Sequence, residues 1–177
     1  MRFLFLLCTI ICILSPVYGT EQMSWGGAVD VLSCDGFMAG DWEIGADLRL
    51  TVLPGCEVRL PLGLDVGKKG CVLFSAGIAA AYYPWHTGPF ILLSLMRLGF
   101  LFDRGVVGGM LMLDEISLGW TFLARKHWIV EPVITFRDPS HSYQDEFASI
   151  KESLQGYRTI RVGLRVGFVT GNGNKTT

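Results

Sequence analysis

The chain has 177 residues, enough for one domain, and half of them are hydrophobic while only 18% are charged, against about 25% in ordinary soluble domains. A mean hydropathy of +0.41 argues against a water-soluble globule, and a net charge of −1 leaves no basic footprint for nucleic acid.

Residues 1–19 read as a cleavable secretory signal. Arg2 supplies the positive n-region, residues 3–14 the apolar h-region and Val17-Tyr18-Gly19 the small-residue cut site before Thr20. Cys8 and Cys12 leave with it. No cysteine stands where a lipoprotein signal needs one, and the run is short for a ~20-residue anchor. Beyond residue 19 the longest apolar stretch, 89–102, is interrupted by Ser94, Arg97 and Gly99, which falls short of the ~18 residues of a transmembrane helix.

The hydrophobicity is instead distributed with a period of two. Weakly alternating residues 24–33 predict a first strand. In 42–52, Trp42, Ile44, Ala46, Leu48, Leu50 and Val52 alternate with Glu43, Gly45, Asp47, Arg49 and Thr51; in 56–66, Val58, Leu60, Leu62, Leu64 and Val66 alternate with Glu57, Arg59, Pro61, Gly63 and Asp65. Successive side chains of a strand point to opposite faces, so each run has one apolar and one polar face. Further strands are predicted over 72–82, 90–102, 112–123, 128–137 and 157–169, the last alternating Ile160, Val162, Leu164, Val166 and Phe168 with Arg161, Gly163, Arg165 and Gly167. These eight runs, most near the ~9–11 residues of a tilted membrane strand, define a domain over 20–169 and leave 170–177 as a flexible tail. The fold class expected is all-β, an antiparallel transmembrane barrel of about eight strands with both termini periplasmic. Pro61 and Pro132 fall inside strands, where each removes a ladder hydrogen bond and a bulge could accommodate it.

A soluble sandwich would also alternate. Three features favour the membrane: a polar face rich in Gly, Ser, Thr and Ala; short connections at 53–55 and 124–127 against a long polar loop at 138–156; and aromatics at strand ends. Trp25, Tyr82, Trp120, Phe122, Trp128 and Phe168 fall near one end, and Trp42, Phe102 and Phe136 near the other, with Arg97 turned inward to set the parity of the fifth strand.

The last strand carries a family resemblance. Arg161-x-Gly163-x-x-Val166-x-Phe168 resembles the C-terminal assembly signal of bacterial outer-membrane barrels, followed here by the extra residues 169–177. In size and layout the mature chain is similar to the small barrels of the OmpX, OmpA-barrel and OmpW type. The resemblance implies that Phe168 is read by the barrel-insertion machinery and that outer-membrane lipids surround the wall.

The inward face should carry Asp30, Glu43, Asp47, Glu57, Asp65, Glu115 and Glu131 against Arg49, Arg59, Arg97, Arg137, Arg161 and Arg165. An eight-stranded barrel is just wide enough for side chains to fill, and buried charges must pair, so these residues are expected to form a plug of ion pairs rather than an ion path. Strands four and five look different: Gly77, Ala79, Ala81, Leu93 and Leu95, with Leu73, Ser75 and Ile91, suggest a rival reading as an OmpW-like passage for small hydrophobic solutes. Cys34 and Cys71 both fall at the outer rim and are expected to form a disulfide in an oxidising compartment, leaving Cys56 outside any bridge. Ser140-His141-Ser142 with Asp138 and Asp145 is the weakest reading, a lipid-modifying enzyme; adjacency in a loop is not a triad. His86, His127 and His141 are scattered, and neither metal nor cofactor is expected. The function expected is a structural or surface-interacting outer-membrane barrel, not an enzyme.

Overall fold

The alternating runs become strands, one face of each turned into the barrel and the other away from it. The computed structural model describes residues 24–33, 40–103, 106–124 and 127–170; the signal segment, Cys34 and residues 171–177 lie outside them. The strands are β1 (Trp25–Ser33), β2 (Trp42–Leu53), β3 (Cys56–Val66), β4 (Cys71–Tyr82), β5 (Pro89–Asp103), β6 (Val106–Leu113), β7 (Glu115–Trp120), β8 (Phe122–Ala124), β9 (Trp128–Arg137) and β10 (Ile160–Thr170). Segments β6, β7 and β8 follow one another along a single wall position: β5 pairs with β6 and β7, and β9 with β7 and β8. Every pairing is antiparallel, and β10 pairs with both β9 and β1. The result is a closed barrel of eight wall strands. One rim bears the two ends of the wall and the short turns after β2, β4 and β8 (the terminal rim); the other bears the connections after β1, β3, β5 and β9 (the loop rim).

In β2 and β3 the polar residues face inward and the apolar ones outward: Asp47, Arg49 and Arg59 are buried, while Trp42, Ile44, Leu48, Leu60, Leu62 and Leu64 are exposed. The fifth strand departs from strict alternation. Its pairing with β4 shifts between Ile78 and Ala79, where Met96 is followed by Ser94. Leu95 is the extra residue of a β-bulge, which reverses the parity of everything on one side of it. Phe90, Leu92, Gly99 and Leu101 are therefore buried, and Ile91, Leu95 and Met96 exposed.

Neither interior proline is housed in a bulge. The β3–β4 register is the same on both sides of Pro61, but no pairs form between Arg59↔Ala79 and Leu62↔Ala76. Opposite Pro132 the sixth wall strand is broken between β7 and β8, again without a change of register. A proline offers no N–H to one neighbour, and the ladder simply skips it.

The connection 138–159 is not a plain polar loop. It contains helix α1 (Gln144–Ser153), with Asp145 and Glu146 in its first turn and Lys151 in its last, the charge order that suits a helix dipole. Phe147, Ile150 and Leu154 recur at helical spacing. They pack with Cys71, Leu73, Leu101, Leu111, Leu113 and Tyr157 in a cluster that closes the loop rim. At the far end of the chain, Thr170 belongs to β10 rather than to the tail, pairing with Trp25.

Candidate functional site

The candidate site is the lumen itself, which is layered along the barrel axis. At the terminal rim Ala79, Ala81, Tyr83, Phe90, Leu92 and Val133 form an apolar floor. Above it stands Glu131, fully buried on β9. Arg49 on β2 embraces it in a bidentate pair, with Nη1 donating to Oε1 at 2.7 Å and Nη2 to Oε2 at 2.9 Å, while its Nε donates to Asp47 at 2.8 Å. Arg59 on β3 reaches the same carboxylate at 3.3 Å, donates to Glu57 and to the Tyr83 hydroxyl, and lies 4.6 Å from the centre of the Phe90 ring. Thr121, in the gap between β7 and β8, donates to Glu131 at 2.6 Å. Burial pushes the Tyr83 hydroxyl above its ordinary range, so Tyr83 stays a neutral donor to Glu57 at 3.2 Å. All of these groups are charge-assisted or doubly satisfied, which is what a dry ionic cluster requires.

At mid-height Arg165 joins Asp30 at 3.0 Å to Asp47 at 3.5 Å, and the Ser117 and Thr135 hydroxyls bond at 2.8 Å. Gly45 and Gly63 face each other across β2 and β3. A Cβ on Gly63 would come within 2.6 Å of Ser75 Oγ and 3.0 Å of Arg97 Nη2, and one on Gly45 would collide with the Asp30 carboxylate. The pair thus makes room for side chains that cross the lumen. A cavity of about 20 Å³ beside them, bordered by Asp30, Glu43, Arg97, Arg161 and Arg165, is the size of a single water site.

The upper layer is organised around Glu43. Its Oε1 accepts from Arg137 Nη2 at 2.8 Å and lies 2.7 Å from Arg161 Nε. Arg161 also donates to Asp30 at 2.9 Å. Arg97 pairs with Glu115 and donates to Ser75 at 2.9 Å. The Tyr157 ring covers Arg137 face-on at 3.9 Å, a cation–π contact made in a desolvated place. Asp41 fastens the roof by accepting from the Gly156 N–H at 2.5 Å and the Lys68 N–H at 3.3 Å.

Several sequence expectations need correction. Leu93 and Leu95 do not line the lumen: the bulge turns them away, and Leu95 is 49% exposed on the outer face. Ile91 is likewise outside. Ala79 and Ala81 do face inward, but Tyr83 and Phe90 fill the space in front of them, and Gly77 lies opposite Arg97. The Cys34–Cys71 bridge is absent at its described end, because Cys71 is a free thiol inside the apolar cluster under α1. Ser140 donates to Ser142 at 2.9 Å rather than to His141, and the His141 ring is 73% exposed and 4.0 Å from Asp138, which is no nucleophile–base pair. In the proposed assembly signal, Arg161 points inward, and Phe168 is on the outer face, edge-on to Trp25 at 5.7 Å. Tyr83, Thr121, Asp41 and Tyr157 were missed. For Tyr83, Thr121 and Asp41 the available signal is parity, since Tyr82, Trp120 and Trp42 face out and the adjoining residue in; nothing local marks Tyr157.

No protein-family model matches the chain, and no curated protein does. Among solved structures, the N-terminal β-barrel domain of Pseudomonas aeruginosa OprF is similar with a TM-score of 0.55 at 12% identity, over 85% of this chain and 98% of that one. A de novo designed transmembrane β-barrel matches at a TM-score of 0.45 and 9% identity, over 85% and 100%. Neisserial surface protein A matches at 0.44 and 9%, over 84% and 94%. The likeness to the OprF barrel shows that this chain has the fold of small outer-membrane barrels.

Proposed function

We propose that this chain is an integral outer-membrane protein, exported through its cleaved leader, with a structural or surface-interacting role and a lumen closed to solutes. The observation that carries this reading is the Glu131 cluster: a fully buried carboxylate held by two arginines and a hydroxyl, directly above an apolar floor. A path along the axis would have to break it, and separating these partners would leave buried charges uncompensated. The membrane setting is supported by the outer face. Leu48, Leu60, Leu62, Ile78 and Ile134 are exposed at mid-wall, and Trp25, Trp120, Phe122 and Trp128 at the terminal rim. Such a belt is stable in lipid and an aggregation hazard in water. With the barrel ends facing the periplasm, the insertion machinery would reach Phe168 at that rim.

The test is conductance together with folding. Purified mature protein in detergent should be β-rich by circular dichroism, migrate differently on gels with and without boiling, and give no steady ion conductance in planar bilayers. N-terminal sequencing of the membrane-extracted protein should begin at Thr20. Saturable uptake of a hydrophobic solute into liposomes, abolished by Ala79→Trp in a protein that stays folded, would overturn the closed lumen.

A further inference from the structure

Positive charge outside the lumen is gathered in one place. The described residues carry four such side chains, Lys68, Lys69, Lys151 and Arg158, all of them exposed and all at the loop rim. Three backbone segments meet there at the buried Asp41. Its Oδ1 accepts from the Lys68 N–H at 3.3 Å and its Oδ2 from the Gly156 N–H at 2.5 Å, and Trp42 follows it in the chain. These bonds bring Lys68, Lys69 and Arg158 to one corner of the rim. Lys151 joins them in the last turn of α1, where the Ser153 carbonyl and the Leu154 side chain lie against Gly67.

The backbone of that corner is fixed. The Gly70 N–H bonds to the Gly67 carbonyl at 3.1 Å and the Gly67 N–H to the Cys71 carbonyl at 2.8 Å, so both lysines sit at the tip of a tight hairpin. Gly70, at φ +79°, takes the left-handed position that closes such a loop. The Lys68 side chain lies over Gly40, where a Cβ would collide with its Cε and Nζ. Every lumen arginine has a carboxylate partner, whereas Lys68, Lys69 and Arg158 have none among the described residues. The acids of this rim stand mostly elsewhere. Asp114 and Asp138 are joined through their backbones at 2.8 Å beside β9, and Asp145 and Glu146 open α1. Asp103, opposite Cys71 in the β4–β5 ladder, and Glu152, next to Lys151, are the described acids nearer the corner, so its cations are in excess. Below the turn the outer wall is apolar. Trp42, Val66 and Val72 share one rung across β2, β3 and β4, and Trp42, 74% exposed, is the most exposed large apolar side chain among the described residues.

We propose that this corner binds a membrane lipid with a phosphorylated headgroup, with Lys68, Lys69 and Arg158 on the phosphate and Trp42 against the lipid just below it. Such a molecule matches the corner at both ends. Clustered Lys and Arg at a membrane surface attract anionic headgroups, and their stems can lie along an apolar wall while the charged ends stay in water. An indole prefers the headgroup level, where one side is apolar and the other wet. A free phosphate ion would use the cations and leave Trp42 and the wall beneath it unmatched. The inference rests on the membrane reading above and adds a particular lipid class at a particular place.

Tryptophan quenching in vesicles tests it. The mature chain is reconstituted in phosphatidylcholine with a minor share of phosphatidic acid, and brominated acyl chains, which quench nearby indoles, are carried by one lipid or the other. Of the five tryptophans only Trp42 is at the loop rim, so its share is the difference between wild type and Trp42→Phe. Brominated phosphatidic acid should quench that share well beyond its abundance, while the terminal-rim tryptophans respond to both lipids in proportion. Lys68→Gln with Lys69→Gln and Arg158→Gln should erase the excess in a barrel that still shifts on unboiled gels, each lost charge weakening it by up to about fivefold. Lys68→Arg with Lys69→Arg should keep it. Proportional quenching at Trp42, or an excess that survives the triple substitution, would overturn the proposal alone. So would loss of the excess to inorganic phosphate at constant ionic strength, since phosphate by itself would then be the ligand. If neither lipid quenched any tryptophan, the membrane reading would fall and take the proposal with it.

Discussion

Two carboxylates, Glu131 near the terminal rim and Glu43 near the loop rim, each bind two arginines, yet their settings differ. Glu131 has no rival acid opposite it and is sealed by residues of the wall itself and of one short turn, Tyr83 with Phe90. Glu43 faces Asp65 and is roofed by a 138–159 excursion tied down through Asp41 and Tyr157. A charged layer shut by its own wall is rigid by construction. One shut by an appended element depends on that element staying docked.

The sharpest way to break the comparison is to remove each carboxylate in turn. Glu131→Ala leaves Arg49 its Asp47 and Arg59 its Glu57, but removes from the fully buried layer a carboxylate that accepts from both arginines and from Thr121, and should cost about 3–5 kcal/mol in denaturant unfolding from detergent. Next in size is Leu154→Ala, which empties the roof; its loss of about 2–4 kcal/mol should appear as faster exchange in α1 while the β2–β3 amides stay protected. Glu43→Ala should cost less, about 1–3 kcal/mol, because Arg137 retains Glu115 and Arg161 retains Asp30. Smallest is Leu95→Ala, under about 1 kcal/mol for a leucine on the outer face. A large loss at Leu95 in the same unfolding assay would mean that it points inward and that the bulge is misplaced.

How far the sequence could be read depended on the strand. In β2 and β3 the inward residues from Glu43 to Thr51 and from Glu57 to Asp65 are polar or glycine apart from Pro61, so parity alone assigns both faces. In β5 both faces are apolar, so nothing in the pattern distinguished a regular strand from one with an extra residue, and Leu93 and Leu95 went to the wrong side. The ionic residues were legible one by one because they alternate with leucines and valines. Their partners were not, since Arg49 and Glu131 stand 82 positions apart and meet only when the sheet closes. Helix α1 was hidden by its composition: Phe147, Ile150 and Leu154 have the right spacing, but Ser, Asp and Glu around them read as loop.

The seam between β1 and β10 has a bearing on how the chain reaches this state. Trp25 and Thr170, 145 positions apart, bond across it, so the wall cannot shut until the last strand has arrived. Before then the sheet ends in two unpaired edges, each a template for another chain. Such long-range closure is slow compared with hairpin formation. A version truncated before β10 would thus keep its hairpins and lose the cylinder, with Arg49, Arg59 and Glu131 open to water and both edges free to aggregate.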